Sequence, residues 1–255
     1  MEIIRKEENW EILIENKPIV EVKELKVNDN FGFGRILLNL IPENEKVMEI
    51  FDYLSMELKK EFKCSSIQLV INNLKLPDTV NENFFLLNRS QMEINLNQFN
   101  ISEDSEEDFK YLTFQDLEGL FEEIYNDTPE YDRMMLGLNS PKKTRDLYYD
   151  ILVLNKYNEC INQLNYYFGD PLKGFIINVA IDSKNESFLI GDLVVLNKYR
   201  RKGIAKKLIY NTLFQAKKLN YKKAFLAVTE KNFAKKLYEK IGFKTVISST
   251  SLYVK

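Results

Sequence analysis

The chain contains no histidine, and that absence alone removes a large part of enzyme chemistry. Triads that need an imidazole are excluded, as are hydrolases whose zinc is held by histidine. Any proton transfer must fall to carboxylates, tyrosine, lysine, cysteine or water. Cysteine is almost as scarce. Cys64 and Cys160 are the only two and form no CxxC pair, which points to a reduced cytoplasmic setting rather than a disulfide framework. No stretch approaches the roughly 20 apolar residues of a membrane span. The opening Met1-Glu2-Ile3-Ile4-Arg5-Lys6 also lacks the basic-then-apolar order of a secretion signal. Neither sign of charge dominates. The net charge of −2 gives no overall steering toward nucleic acid, and no nucleic-acid or membrane partner is expected.

What is present describes a globular protein, 45% hydrophobic and 29% charged, a balance that argues against extensive disorder. Its most informative stretch is Tyr199-Arg200-Arg201-Lys202-Gly203-Ile204-Ala205. Before it, Phe188 to Leu196 is short, apolar and rich in valine and leucine, so it reads as a buried strand. After it, Ile204, Ala205, Leu208, Ile209, Thr212, Leu213, Ala216 and Leu219 recur at helical spacing, with lysines on the opposite face. A strand, a basic turn with one glycine and a helix start together describe a phosphate cradle. The first helical N–H groups lack intrahelical acceptors, and the dipole makes that end partly positive. The alternative is an ordinary turn with a solvated basic face. Neither the Gly-Lys-Ser/Thr ending of a P-loop nor the three-glycine dinucleotide fingerprint is present, so a hydrolysed nucleotide and NAD are both disfavoured.

Arg200-Arg201-Lys202-Gly203-Ile204-Ala205 resembles the Arg/Gln-x-x-Gly-x-Gly/Ala signature of the GCN5-related N-acetyltransferases, the GNAT superfamily. Downstream, Ala234-Lys235-Lys236-Leu237-Tyr238-Glu239-Lys240-Ile241-Gly242-Phe243 is similar to that family's Ala-x-x-Leu-Tyr-x-x-x-Gly-Phe segment. Lys223 to Thr229 supplies a strand between the two. The family's asparagine, three residues before the alanine, is replaced here by Lys231, with Asn232 displaced by one. By the resemblance Asn232 would contact coenzyme A in that asparagine's place, or else start the helix as a cap.

The resemblance implies an α+β GNAT fold, with a mixed, mostly antiparallel central sheet flanked by helices. It also implies acetyl-CoA as cosubstrate and an amine as acceptor, the protein being a monomer or homodimer. Backbone at Leu193, Val194 and Val195 would pair with the pantetheine arm. Amides from Arg201 through Lys206 would carry the pyrophosphate, and Arg200, Arg201 and Lys202 would either touch phosphates or sit in solvent. Tyr238 would be the general acid toward the departing thiolate, or else a core ring that lends its hydroxyl to the coenzyme. The base stays open between Asp192, Glu186 and a water chain. Strand alternation puts Asp192 on the face opposite Leu193 and Val195. Tyr166, Tyr167 and Phe168 are candidates for an acceptor pocket or for core. A non-catalytic acyl-CoA-binding sensor or scaffold is the alternative to an enzyme.

Along the chain, the acidic run over 99–108 reads as a linker between an α+β domain at 1–98 and the GNAT domain at 109–255. In the second domain the expected order is a strand at Lys110–Phe114 and a helix at Gln115–Tyr125. A second helix from Pro141 to Cys160 and strands at Leu164–Phe168, Gly174–Ile181 and Phe188–Leu196 follow. The first domain shows strands at Trp10–Ile14, Pro18–Leu25, Phe33–Ile41 and Ser66–Asn72, around a helix at Lys46–Phe62. Two further strands are expected at Phe84–Leu87 and Met92–Leu96. That half reads as a degenerate GNAT-like repeat, or as an unrelated small domain. Pro42-Glu43-Asn44-Glu45 stands where the cradle would be, and its two carboxylates would repel a pyrophosphate.

Overall fold

The computed structural model describes all residues except 7–8, 15–16, 28–31, 39–43, 63–66, 73–75, 77, 81, 100–107, 155–161, 183–185 and 255. Cys64, Cys160, Pro42, Glu43 and most of the expected acidic linker therefore lie outside the described residues. In chain order come β1 (Glu2–Lys6), β2 (Asn9–Ile14), β3 (Lys17–Val27), β4 (Gly32–Leu38), α1 (Asn44–Glu61), β5 (Ile67–Asn72), β6 (Thr79–Val80) and β7 (Phe84–Asn95). They are followed by β8 (Phe109–Tyr111), α2 (Phe121–Asp127), α3 (Glu130–Met135), α4 (Pro141–Leu152), β9 (Tyr166–Phe168), β10 (Gly174–Asp182) and β11 (Ser187–Val195). The series ends with α5 (Ile204–Lys218), β12 (Lys223–Thr229), α6 (Ala234–Ile241) and β13 (Lys244–Val254). Among the described residues no helix is long and apolar enough to cross a membrane.

The chain divides into two compact units. The first comprises Met1–Ser90, Thr229–Asn232 and Ile247–Lys255, and the second Gln91–Val228 and Phe233–Val246. In the first, β1 to β4 form an antiparallel meander, and α1 crosses over to place β5 parallel to β4. The helix forms because Val47, Ile50, Phe51, Leu54 and Leu58 fall on one face at helical spacing, and all five are buried. Burying each contributes on the order of 1.5–3 kcal/mol, well beyond what helix propensity supplies. The end of β13 closes this unit, pairing antiparallel with β5 from Ser249–Asn72 to Val254–Ile67.

Strand β7 corrects the sequence reading, which expected two strands separated by Asn88-Arg89-Ser90-Gln91. The polar interruption does not break the strand, and its buried Asn88 is hydrogen-bonded on both sides of the amide. The buried Asn88 amide donates to the Leu76 carbonyl at 2.7 Å and to Asp78 at 2.8 Å, and accepts from Thr250 Oγ1 at 2.8 Å. Buried polar groups with complete partners cost little.

In the second unit β8, β9, β10 and β11 run antiparallel in that order, and α5 crosses over to place β12 parallel to β11. Alternate residues of β10 serve two cores. Ile176 packs with α5 and α6, whereas Phe175 and Ile177 face Phe121, Ile124 and Tyr148 of α2 and α4. Phe99 also packs into the α5 side, its ring 5.6 Å from that of Tyr210. The helix expected over Gln115–Tyr125 is instead a short 3-10 turn at Gln115–Leu117 followed by α2. Gly119, at φ +82, separates the two. The strand expected from Leu164 begins only at Tyr166, after a turn at Asn162–Leu164. Helix α4 ends at Leu152, with Ser140 accepting from the Lys143 N–H as its N-cap and Pro141 in its first turn.

Two irregularities in β11 position the site. Pairing between β11 and β12 runs from Ser187–Lys223 to Ile190–Leu226 and stops there, while β11 continues to Val195. At that same point the β10 register jumps from Asn178–Ile190 to Ile177–Asp192, which leaves Gly191 as the extra residue of a bulge. The bulge reverses the strand's phase. Phe188 and Ile190 belong to the α5 side, but beyond Gly191 it is Leu193 and Val195 that pack there. Asp192 is thereby turned toward α4.

Candidate active site

The turn after β11 has the geometry of an anion cradle. Strand backbone gives way to a single 3-10 turn at Asn197–Tyr199, and the chain then passes Arg201 at φ +63 and Gly203 at φ +80 before α5 begins. Gly203 occupies the N-cap position, where it offers no side chain to satisfy the helix, and no side-chain cap bond is made. The first intrahelical bond runs from Lys207 N–H to the Gly203 carbonyl at 3.1 Å. Helix geometry thus leaves the Ile204, Ala205 and Lys206 amides without intrahelical acceptors. A Cβ built on Gly203 would meet no atom within 4 Å, so the approach to these amides is open.

The cations of the turn divide in role. Arg200 is folded back, its Nε donating to the Val195 carbonyl and its guanidinium to the Asp127 carbonyl, each at 3.0 Å. The Asp127 carboxylate in turn accepts from the Asn197 N–H at 2.7 Å. Arg200 therefore ties the cradle to the end of α2, and of the three cations it is the one committed to holding the loop. Arg201 and Lys202 are exposed, lying over the rings of Phe233 at 5.5 Å and Tyr199 at 5.6 Å. Gly174 makes the close approach possible. A Cβ there would sit 2.8 Å from the Val194 carbonyl oxygen and 3.3 Å from Ile204 Cγ2, where α5 meets the sheet.

Leu193, Val194 and Val195 pair with Ile176, Phe175 and Gly174 on one edge, whereas the pairing with β12 on the other edge has already ended. Extended backbone with one free edge is what a peptide-like chain needs in order to add itself as a strand.

Beside that edge stands Asp192. Tyr148 of α4 donates its hydroxyl to Asp192 Oδ2. The Tyr148 ring is itself buried and packed edge-on against Phe175 at 5.6 Å. Burial pushes the Asp192 carboxyl above the ordinary carboxylate value, while hydrogen bonds from Tyr148 and the Leu193 N–H oppose that rise. Tyr148 is raised well above the usual phenol value, chiefly by burial and then by the Asp192 charge. Tyr238, on α6, is buried, and its ring meets Phe243 edge-on at 6.0 Å. Its phenol is held well above the ordinary value by burial first, then by the charges of Asp192 and Asp132, so it stays protonated at neutral pH. The schedule is one carboxyl made more basic and one phenol kept as a donor, on neighbouring elements.

The other residues fall elsewhere. Glu186 lies at the far end of β11, before Ser187, ion-paired with Lys222 and accepting that residue's backbone N–H at 2.7 Å. It is not brought to Tyr238. Asn232 groups with the first unit, and Phe233 rather than Asn232 occupies the N-cap of α6, without a side-chain cap bond. The expected asparagine cap is thus not formed; the Asn232 N–H donates to the Thr229 carbonyl at 3.0 Å instead. Tyr166 and Phe168 are buried in the α5-side core, and Tyr167 packs on the α2–α4 side. Sequence reasoning gave no role to Tyr148, Gly174 or Gly191. Isolated glycines within strand patterns were the available signal for the last two. Tyr148 carried none, because its helical spacing equally describes core.

Residues 143–252 match the model of the acetyltransferase (GNAT) domain family. Among solved structures it is similar to a GCN5-related N-acetyltransferase from Sphaerobacter thermophilus, at 12% identity and TM-score 0.54, over 96% of this chain and 80% of that one. A GCN5-related N-acetyltransferase from Kribbella flavida matches at 11% identity and TM-score 0.52, over 92% and 86%. A functionally unknown conserved protein from Staphylococcus epidermidis matches at 12% identity and TM-score 0.55, over 98% and 92%. At these identities the likeness is one of fold. No curated protein matches the chain significantly.

Proposed function

We propose that the protein is an acetyl-CoA-dependent N-acetyltransferase that moves an acetyl group to a primary amine of a small molecule or peptide, by direct transfer in a ternary complex. The observation that carries this reading is the open start of α5 behind Gly203, continuous with the free edge of β11. The open amides and the exposed Arg201 and Lys202 suit a pyrophosphate, and the backbone of Leu193 to Val195 suits a pantetheine arm. When bound, the coenzyme supplies the activated acyl thioester. Asp192 removes the proton from the incoming ammonium, its basicity raised by burial and its orientation fixed by Tyr148. Tyr238 donates its phenolic proton to the departing sulfur. The balance is amine plus acyl thioester to amide plus thiol.

The first unit supports a second part of this reading, that it is a GNAT-like repeat which does not bind coenzyme. Its β4–α1–β5 crossover repeats the parallel pairing of β11–α5–β12, and its pairing also stops short, at Arg35–Val70. A Cβ on Gly34 would lie 2.9 Å from Leu69 Cδ2, so packed side chains occupy the interior there.

The test is thermal melting with acetyl-CoA followed by thiol release with a panel of amines. Ligand at 100 times its dissociation constant stabilises by about 2.7 kcal/mol. A melting shift with thiol release is expected. A shift without release from any amine would favour a sensor, and no shift would remove both.

A further inference from the structure

Alternation along β7 sorts its first half onto two faces. Phe84 and Leu86 join the core beneath α1, together with Leu252 and Val254 of β13. Phe85, Leu87 and Arg89 therefore point to the other face, as does Tyr253, whose ring stacks on that of Phe85 at 4.7 Å. Both rings are buried, and Arg89 is half-buried beside them. Its guanidinium has no counterion among the described residues. The one hydrogen bond that it makes there runs from Nη1 to the Tyr253 hydroxyl, at a long 3.4 Å. Its Nε is buried and meets no acceptor. The nearby acids are committed on the opposite face, where Asp78 accepts from Asn88 and Glu230 from Ser90. On the face of Arg89, β13 and β5 present Ser249, Ser251, Gln68 and Val70, none of them a carboxylate.

We propose that Arg89 anchors a carboxylate-binding site in the first unit, taking the carboxylate of a small molecule on its Nε–Nη2 edge while Tyr253 holds Nη1. A desolvated charge without a partner is strongly unfavourable, and a bound anion offsets that cost. The planar edge left unbonded is the fork that grips a carboxylate through two parallel hydrogen bonds. Arg89 as a whole is only half-buried, so solvent and ligand can reach that edge. Every residue named belongs to the first unit, outside the coenzyme machinery, so the site stands or falls apart from the transferase reading.

The experiment is thermal melting of the full chain, as wild type, Arg89→Gln and Arg89→Lys. Sodium acetate, malonate, citrate and phosphate are each compared with sodium chloride at equal ionic strength. Wild type is expected to melt higher in at least one of the three carboxylates, by roughly 3–6 °C at ten times its dissociation constant. Arg89→Gln keeps a donor for Tyr253 but lacks charge and fork, and should lose that rise. Arg89→Lys keeps the charge without the fork and should bind at least about tenfold more weakly, the worth of one charge-assisted bond. It also keeps the test readable should the glutamine variant fail to fold. Equal rises in wild type and either variant, or no rise in wild type with any carboxylate, would overturn the site. A rise confined to phosphate would overturn the carboxylate assignment.

Discussion

Replacing Gly203 with alanine isolates the cradle from the rest of the fold. The residue sits at φ +80, where an L side chain is disfavoured by about 1–2 kcal/mol. No other stability cost is expected, because the added Cβ meets nothing within 4 Å. The free protein should therefore melt only roughly 2–8 °C below wild type. Binding should suffer far more. The methyl would occupy the approach to the amides of Ile204, Ala205 and Lys206, and each amide–phosphate bond is worth about 1.5–3 kcal/mol. Losing even one weakens acetyl-CoA by about tenfold or more. The assay is paired: a melting curve of the free variant, and an acetyl-CoA titration followed by calorimetry. Gly174→Ala is the contrast. Its Cβ would come 2.8 Å from the Val194 carbonyl oxygen, so the backbone must move and stability should fall by about 1–3 kcal/mol. A Gly203→Ala protein that binds acetyl-CoA as wild type does would refute the cradle.

Tyr238→Phe should lower kcat about 100-fold or more while the KM for acetyl-CoA changes little, and full turnover would take the acid role away. Asp192→Asn should abolish most turnover yet melt above wild type at neutral pH. The sign follows from burial, which raises the folded carboxyl above its unfolded value of 3.8. The stabilising contribution of the protonated form is complete below that value and is lost as pH rises through the folded one. The gap between variant and wild type should accordingly close on acidification, and a gap that persists would contradict a raised carboxyl. Tyr148→Phe removes a bond that favours the ionised Asp192, so the acidic limb of the kcat/KM profile should move to higher pH. An unmoved limb would reduce Tyr148 to packing.

The legible parts of the site were those encoded by consecutive residues. Arg200 to Ala205 and Ala234 to Phe243 each carry their geometry locally, through a turn glycine, a helix start and a helix stop at Gly242 with φ +115. Strand β12 at Lys223–Thr229 was legible from its place between the two motifs, and the buried face of α1 from its helical period. The continuous β7 was not, because its polar middle is rescued by Asp78, Leu76 and Thr250, partners remote in sequence. Nor was the division of labour among the cations, where identical charge hides that Arg200 grips backbone and Arg201 covers a ring.

The sequence by itself determined the chemistry available: no imidazole, a basic glycine turn before a helix, and a tyrosine placed ahead of Gly242 and Phe243. The tertiary structure decided how two similar carboxylates come to differ. Asp192 and Glu186 are equivalent as letters near one strand. Only the bulge at Gly191, the end of β12 pairing at Ile190 and the hydroxyl of Tyr148 single out Asp192. Burial and long-range hydrogen bonds set a carboxyl's basicity, and neither exists until distant segments pack.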